Sequence, residues 1–254
     1  MRPQIAIPMP HSTDLEYDER ALPQYERAIA LAGGEPVRIP LHETPASLKK
    51  VIDGCSGVLL PGSNADVDPA RFQQTASPHT AGADLRREAV DDLLLEDAYS
   101  HRKPVLCICF GLQSLNVFRR GSLVQHIPDF LPAETRARVN HEAGKMVAVA
   151  HRVEIDPHSK MAGIIASAEP ILRSSGQGRV VLPVNSSHHQ AADAIGKGLR
   201  VVARCPDDGI VEALEGTSAD HLVLAVQWHP ERSLDQDEPS RAIFRALVAA
   251  ADPK

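Results

Sequence analysis

The stretch "CICFG" at 107–111 places Cys109 where an apolar run meets an amphipathic one, two residues before Gly111. A thiol raised on a sharp strand-to-helix turn is open to an electrophile, and the first N–H groups of the helix favour its thiolate. The competing reading is a packing residue, since free cysteine is among the most buried side chains. Cys107, which no turn follows, takes that second reading. A thiol nucleophile needs a base, and the base needs an acceptor to orient it. "VQWHPE" (226–231) offers both in His229 and Glu231. On an extended segment residues two apart project to one face, so Glu231 can hold one ring nitrogen while the other turns to Cys109.

Acyl transfer also calls for donors to the tetrahedral oxyanion. The backbone N–H of Phe110, which follows the thiol, is one candidate. The Gly62–Ser63 turn in "LLPGSNAD" (59–66) is the other, although a Pro-Gly pair is more often a turn and nothing else. A further polar cluster, "VNSSHHQ" (184–190), ends an apolar run with Ser187, His188 and His189. Adjacent histidines point to opposite sides of a strand and no third ligand is evident nearby, so a loop gripping a polar, zwitterionic substrate is expected rather than a metal site. His189 fits a supporting role as well as a direct contact. Cys107 and Cys109 form C-x-C, not the C-x-x-C of zinc sites.

These groups need elements to bring them together. Strands are expected at "QIAIPMP", "EPVRIPL", "GVLLPGS" and "PVLCICF". Between them lie helices at "ALPQYERAIALAGG", "PASLKKVIDG", "ADLRREAVDDLLLEDAYSHRK" (apolar stripe Leu85, Val90, Leu93, Leu94, Ala98) and "GLQSLNVFRR". Near-continuous apolar strands alternating with helices imply a mainly parallel sheet covered on both faces, a three-layer α/β sandwich. From "KMVAVAHRVEID" onward the pattern changes to "GRVVLPVNS", "GLRVVARCP", "IVEALEG" and "LVLAVQWHP", strands joined by turns and added to that sheet. A last helix starts after Asp237 or Glu238 and packs through Ile243, Phe244 and Leu247. "AETRARVNHEAGKM" reads as a flexible loop near the site. Ligands of open parallel sheets sit beyond the carboxyl ends of the strands, where "LLPGSNAD", "CICFG" and "VQWHPE" fall.

The 254 residues suffice for one large core, and a single domain over 1–254 is expected. A net charge of −6 gives no electrostatic reason to bind nucleic acid. No apolar run approaches the roughly 20 residues of a membrane span, and the first apolar stretch is too short for an export signal. With four cysteines and no disulfide pattern, a reducing cytoplasm is the expected setting.

In combination and in order, "YERAIALAGGEPVRIPL", "GVLLPGSNADVDPARF", "DLRREAVDDLLLEDA", "KPVLCICFGLQSLNVFRRGSLVQHI", "PVNSSHHQA", "DDGIVEALE" and "VQWHPE" resemble the class I glutamine amidotransferase-like superfamily. The nearest likeness is to its γ-glutamyl-γ-aminobutyrate hydrolases and γ-glutamyl peptidases. The resemblance implies a flavodoxin-like fold with extra strands, a Cys109–His229–Glu231 triad, and contacts from Gln113, Ser187 and His188 to the glutamyl group. It implies attack of the thiol on a γ-glutamyl amide, a glutamyl thioester, and hydrolysis, with no cofactor and no metal. The expected partner is a small γ-glutamyl substrate, with a homodimer the one protein assembly considered and no nucleic acid or membrane. A glutaminase subunit feeding a synthetase, and a non-catalytic protein that keeps the fold, are the alternatives. The sequence departs from the family pattern at Ser63, where a second glycine is usual and a Cβ disfavours positive φ, at Phe110 in place of Arg, and at Arg120-Gly121 in place of Gly-Gly.

Overall fold

The computed structural model describes residues 1–168 and 180–252. The first half alternates strand and helix: β1 (Gln4–Pro8), α1 (Leu15–Leu31), β2 (Glu35–Ile39), α2 (Pro45–Ile52), β3 (Gly57–Leu60), α3 (Leu85–His101), β4 (Val105–Ile108) and α4 (Phe110–Phe118). Next come β5 (Leu123–Val124), the short helical turns α5 (Ile127–Phe130) and α6 (Ala133–Arg136), β6 (His151–Ile155) and α7 (Lys160–Ala168). The chain ends with β7 (Val180–Val184), β8 (Ala191–Ala192), β9 (Leu199–Arg204), β10 (Val211–Gly216), β11 (Val223–Val226) and α8 (Glu238–Ala251).

Nine strands form one sheet in the order β2-β1-β3-β4-β11-β10-β9-β6-β7, and β5 pairs with β8 in a separate ribbon. The first five are parallel and the remaining four are added antiparallel. This is the mainly parallel sheet with extra strands that the sequence implies. Period-two alternation splits each central strand between two layers: Leu106 and Ile108 pack with α1, α7 and α8, and Val105 and Cys107 pack with α2, α3 and α4. Cys107 is therefore a packing residue, fully buried. Among the described residues no helix is long and apolar enough to cross a membrane.

Helix starts follow their caps. Asp14, Thr44, Asp84 and Asp237 each accept from a backbone N–H in the first turn of α1, α2, α3 and α8.

Two expectations are corrected. Leu85 is 65% exposed, and the buried face of α3 instead carries Arg87 and Asp91 beside Val90, Leu94, Leu95 and Ala98. Hydropathy could not identify that face, because the two charges neutralise each other inside it. The strand expected at 145–156 begins only at His151, since the chain before it turns at Gly144 (φ +93) and leaves Met146 and Val149 exposed. The loop at 133–146 contains a helical turn and a buried His141. Gly178 and Arg179 of the "GRVVLPVNS" strand lie outside the described residues.

Arg120 adopts φ +71, in the left-handed region where a Cβ costs about 1–2 kcal/mol. Its side chain is exposed to solvent and so recovers little of this cost through packing. Arg120→Gly is expected to raise stability by about 1 kcal/mol, roughly 2–4 °C in Tm for a chain of this size. Unchanged or lowered thermal unfolding in the variant would show that this conformation carries no strain.

Candidate active site

Strands β4 and β11 lie side by side and parallel, with Val226 in register with Ile108. Their carboxyl ends therefore deliver Cys109 and His229 to the same end of the sheet. The Cys109 N–H still donates to the Val226 carbonyl (2.8 Å), so the ladder continues up to the bend. At the bend Cys109 takes φ +53, ψ −107 and caps the amino end of α4. A non-glycine residue held there stores on the order of 1–3 kcal/mol, which the surrounding packing must offset. Gly111 makes the bend feasible, because a Cβ on it would lie 2.4 Å from the Leu60 carbonyl oxygen. As the first residue of α4, Phe110 has a backbone N–H with no intrahelical acceptor.

His229 is buried, and its Nδ1 lies 2.7 Å from Glu231 Oε1. The segment 230–232 is a 3-10 turn rather than the extended chain expected, since Pro230 sits at its first position with a helix-compatible φ. The pairing is made all the same. Asn185, the residue after β7, clamps the His229 backbone from both sides: it accepts from the His229 N–H (2.9 Å) and donates to its carbonyl (2.8 Å). The second ring nitrogen is left for Cys109: His229 Cε1 and Cys109 Cβ both border Gly62, at 3.1 and 3.7 Å from where its Cβ would stand. Burial works to lower the His229 pKa, but the Glu231 carboxylate and Cys109 together hold it above the ordinary imidazole value. Burial likewise works to raise Glu231, and His229 prevails, holding the carboxyl below its usual range. Burial pushes the other thiols up, Cys55 to about 11 and Cys205 to about 12.

The β3 turn closes the third side. The Gly62 N–H donates to the Tyr25 hydroxyl (3.1 Å) and so is committed, whereas no acceptor within the described residues takes the Ser63 N–H. Gly62 contributes space instead: a Cβ there would lie 3.1 Å from both His229 Cε1 and the Tyr25 oxygen. Ser63 is not among the residues with positive φ, so its Cβ is accommodated, and its hydroxyl accepts from the Ala65 N–H.

A cavity of about 210 Å³ opens over Cys109, walled by Ser63, Asp66, Gln113, Ser187 and His189. It is smaller than the roughly 300–1,000 Å³ of drug-sized sites and suits an amino-acid-sized group. A larger hollow of about 740 Å³ lies beside β6 and β9, but the only thiol lining it is Cys205. Gln113 donates to the Gln190 carbonyl (3.2 Å) and to Gln227 Oε1 (3.3 Å). His189 pairs with Asp66 (3.0 Å), and this hydrogen bond, working against burial, raises its pKa. His188 also borders the cavity, and its ring nitrogens face the Gln190 carbonyl (2.8 Å) and Glu212.

Arg87 is a residue that hydropathy and motif spacing both pass over. Fully buried, it pairs with Asp91 (2.7 Å) and donates to the Pro61 (2.7 Å) and Pro10 (2.9 Å) carbonyls, fixing the ends of β3 and β1. Its guanidinium also lies 5.0 Å from the centre of the Phe110 ring. Only the i,i+4 Arg–Asp spacing in "RREAVDD" could have pointed to it.

A model of the Peptidase C26 family matches residues 5–231. The chain belongs to that family. A putative glutamine amidotransferase of Mycobacterium tuberculosis is 37% identical over 89% of this chain, and the match spans 66% of that relative's own length, just under two thirds. The γ-glutamyl-γ-aminobutyrate hydrolase of Escherichia coli O157:H7 is 31% identical over 89% of this chain and 84% of its own. Among solved structures, a putative GMP synthase component from Thermoplasma acidophilum has a TM-score of 0.61 at 14% identity, covering 99% of this chain and 94% of that one. The glutaminase domain of Trypanosoma brucei CTPS, solved with bound acivicin, has a TM-score of 0.58 at 18% identity over 99% and 96%. These last two likenesses show that the fold is shared over nearly the whole length of each chain.

Arg87→Met leaves Asp91 as an uncompensated buried charge and strips two carbonyls of their donor. It is expected to lower unfolding free energy by about 3–5 kcal/mol in denaturant titration. A loss below about 1 kcal/mol would show that the pair does not hold the β3 turn.

Proposed function

We propose that the protein is a cysteine hydrolase acting on γ-glutamyl amides. The observation that carries this reading is the positive-φ bend at Cys109 with the His229–Glu231 pair set beside it. In the proposed reaction the Cys109 thiolate attacks the γ-carbonyl carbon, and the backbone N–H groups of Phe110 and Ser63 receive the developing oxyanion. His229 then donates its proton to the leaving nitrogen as the C–N bond breaks, which leaves a γ-glutamyl thioester. With the amine gone, His229 takes a proton from water, hydroxide adds to the thioester, and glutamate and free thiol result. Glu231 holds the imidazole in orientation and stabilises the imidazolium, as the carboxylate of such triads does. Gln113 and Ser187 line the cavity where the glutamyl group would sit, and the Asp66–His189 pair offers further charge for its zwitterionic end. The four unpaired cysteines suit a reducing compartment such as the cytoplasm.

The E. coli relative, named a γ-glutamyl-γ-aminobutyrate hydrolase, supports an amine as leaving group. Glutaminase action is the second reading, supported by the 37% identical relative named a putative glutamine amidotransferase. A panel of γ-glutamyl amines with glutamine itself distinguishes the two readings. Release of amine from the former, with negligible ammonia from the latter, is the expected result, and the opposite preference favours the second reading.

An electrophilic glutamine analogue is expected to label Cys109 selectively, with labelling lost in Cys109→Ala and slowed in His229→Ala. Equal labelling of Cys55 or Cys205 would remove the main support for the assignment. For the pH profile, the raised His229 pKa places loss of the imidazolium, and with it the alkaline limb, above the ordinary imidazole range. Removing the carboxylate in Glu231→Gln lowers that pKa, so the alkaline limb is expected to move to lower pH and the maximal rate to fall. An alkaline limb unmoved by the substitution counts against the pair.

A further inference from the structure

Behind the cavity wall four buried side chains converge from four parts of the chain: His141 from the loop before β6, His151 at the start of β6, His188 after β7, and Glu212 on β10. One ligand atom from each lies within 4.8 Å of every other. His141 Nδ1, His151 Nε2, His188 Nε2 and both Glu212 oxygens are buried without a hydrogen-bond partner. Glu212 itself is 0% exposed. Leaving a carboxylate and three ring nitrogens unpaired in a dry interior is costly unless something neutralises them.

The outward-facing ring nitrogens fix the tautomers. His188 Nδ1 faces the Gln190 carbonyl (2.8 Å), and His151 Nδ1 faces the Arg152 carbonyl (3.1 Å). A carbonyl only accepts, so each of these nitrogens carries the proton, and in the neutral ring the inward nitrogen presents a lone pair. His141 Nε2 likewise faces the Asp208 carboxylate (2.7 Å). With the three rings neutral, three lone pairs and an anion point at one another. Outer nitrogens held by a carbonyl or carboxylate are how metal-binding histidines are oriented. The separations fit as well. Ligand atoms on a tetrahedron with bonds of about 2.1 Å stand about 3.4 Å apart; the three ring nitrogens are 3.4, 3.4 and 3.7 Å from Glu212 Oε1.

We propose that His141, His151, His188 and Glu212 form a closed, four-ligand site for a divalent transition-metal ion, with zinc the best match to three imidazoles and a carboxylate. All four positions are taken by protein, so the role is structural and leaves no place for a reacting water. The ion would bind the 141–150 loop to the segment carrying Ser187 and His189. That loop already docks there through the His188 N–H to the His141 carbonyl (2.9 Å) and the Gly144 N–H to the Ser186 carbonyl (3.1 Å). The ion would also brace β10 where the Gln227 N–H donates to the Glu212 carbonyl (2.8 Å), two residues before His229. The absence of metal expected from "VNSSHHQ" is thereby reversed: neighbouring histidines do diverge, but His188 meets partners from distant parts of the chain that no local spacing reveals.

The site does not rest on the hydrolase reading, and metal content tests it independently of activity. The full chain, produced without a polyhistidine tag, is stripped with a chelator, reloaded with zinc, passed through gel filtration and analysed for elements. One equivalent of zinc is expected, with Tm falling on chelation and recovering on reloading. His151→Ala and Glu212→Gln are each expected to weaken binding by more than about 100-fold, beyond the 10–100-fold typical of losing an outer orienting partner. His79→Ala and Cys205→Ser, in the two other clusters among the described residues that could hold a metal, are expected to keep it. Cobalt(II) added to stripped wild-type protein is expected to give the intense visible absorption of four-coordinate geometry, a readout independent of whether the variants fold. Failure of the reloaded wild type to retain zinc, a weak six-coordinate cobalt spectrum, or full zinc retention by Glu212→Gln and His151→Ala would each overturn the proposal.

Discussion

The bend at Cys109 is the constraint from which the rest of the site follows. A side chain can be raised at that junction only if β4 stops, the backbone crosses to positive φ, and α4 starts at once. Each step has a visible condition. The ladder to Val226 holds the chain until the last moment, and the missing Cβ of Gly111 lets α4 pass within contact of the Leu60 carbonyl. The strain is local and the packing that maintains it is global, since Cys109 itself lies in the core shared by α1, α7 and α8.

Around that bend the protein places buried charge in pairs. His229 with Glu231 and Arg87 with Asp91 are each fully or nearly fully shielded from water. Such pairs add little net stability over apolar residues of the same size, but breaking one is expensive. Their value here is positional. Arg87 reaches from α3 to the ends of two strands, and Asn185 reaches from the end of β7 to both sides of His229. The parallel core and its antiparallel extension are thus joined beside Cys109 and His229.

Much of this was legible in the sequence because it is local. Apolar periodicity marked most of the strands and helices, Asp237 marked the start of the last helix, and the residue types at 109, 229 and 231 singled out the side chains that the sheet brings together. What escaped depends on partners far away in the chain. Arg87 reads as a solvent-facing helix charge until Pro10 and Pro61 are known to lie above it. Gly62 reads as a backbone donor until Tyr25 is found accepting from it. His188 reads as one of a local pair of histidines, and its grouping with Glu212, His141 and His151 is visible only in the fold. Leu85, counted in an apolar stripe, is exposed because the true inward face of α3 includes a neutralised ion pair. Hydropathy ranks side chains one at a time, whereas burial of charge is decided by pairs.

In the proposed reaction the Cys109 sulfur carries the glutamyl group during turnover. Rapid acid quench during turnover of a γ-glutamyl amide, followed by peptide mass analysis, tests this directly. The expected product is a peptide containing Cys109 that is heavier by one glutamyl unit, labile to hydroxylamine as a thioester is, and absent from Cys109→Ser. Turnover with no acylated Cys109 peptide, in wild type and in the slowed His229→Ala variant alike, would contradict it.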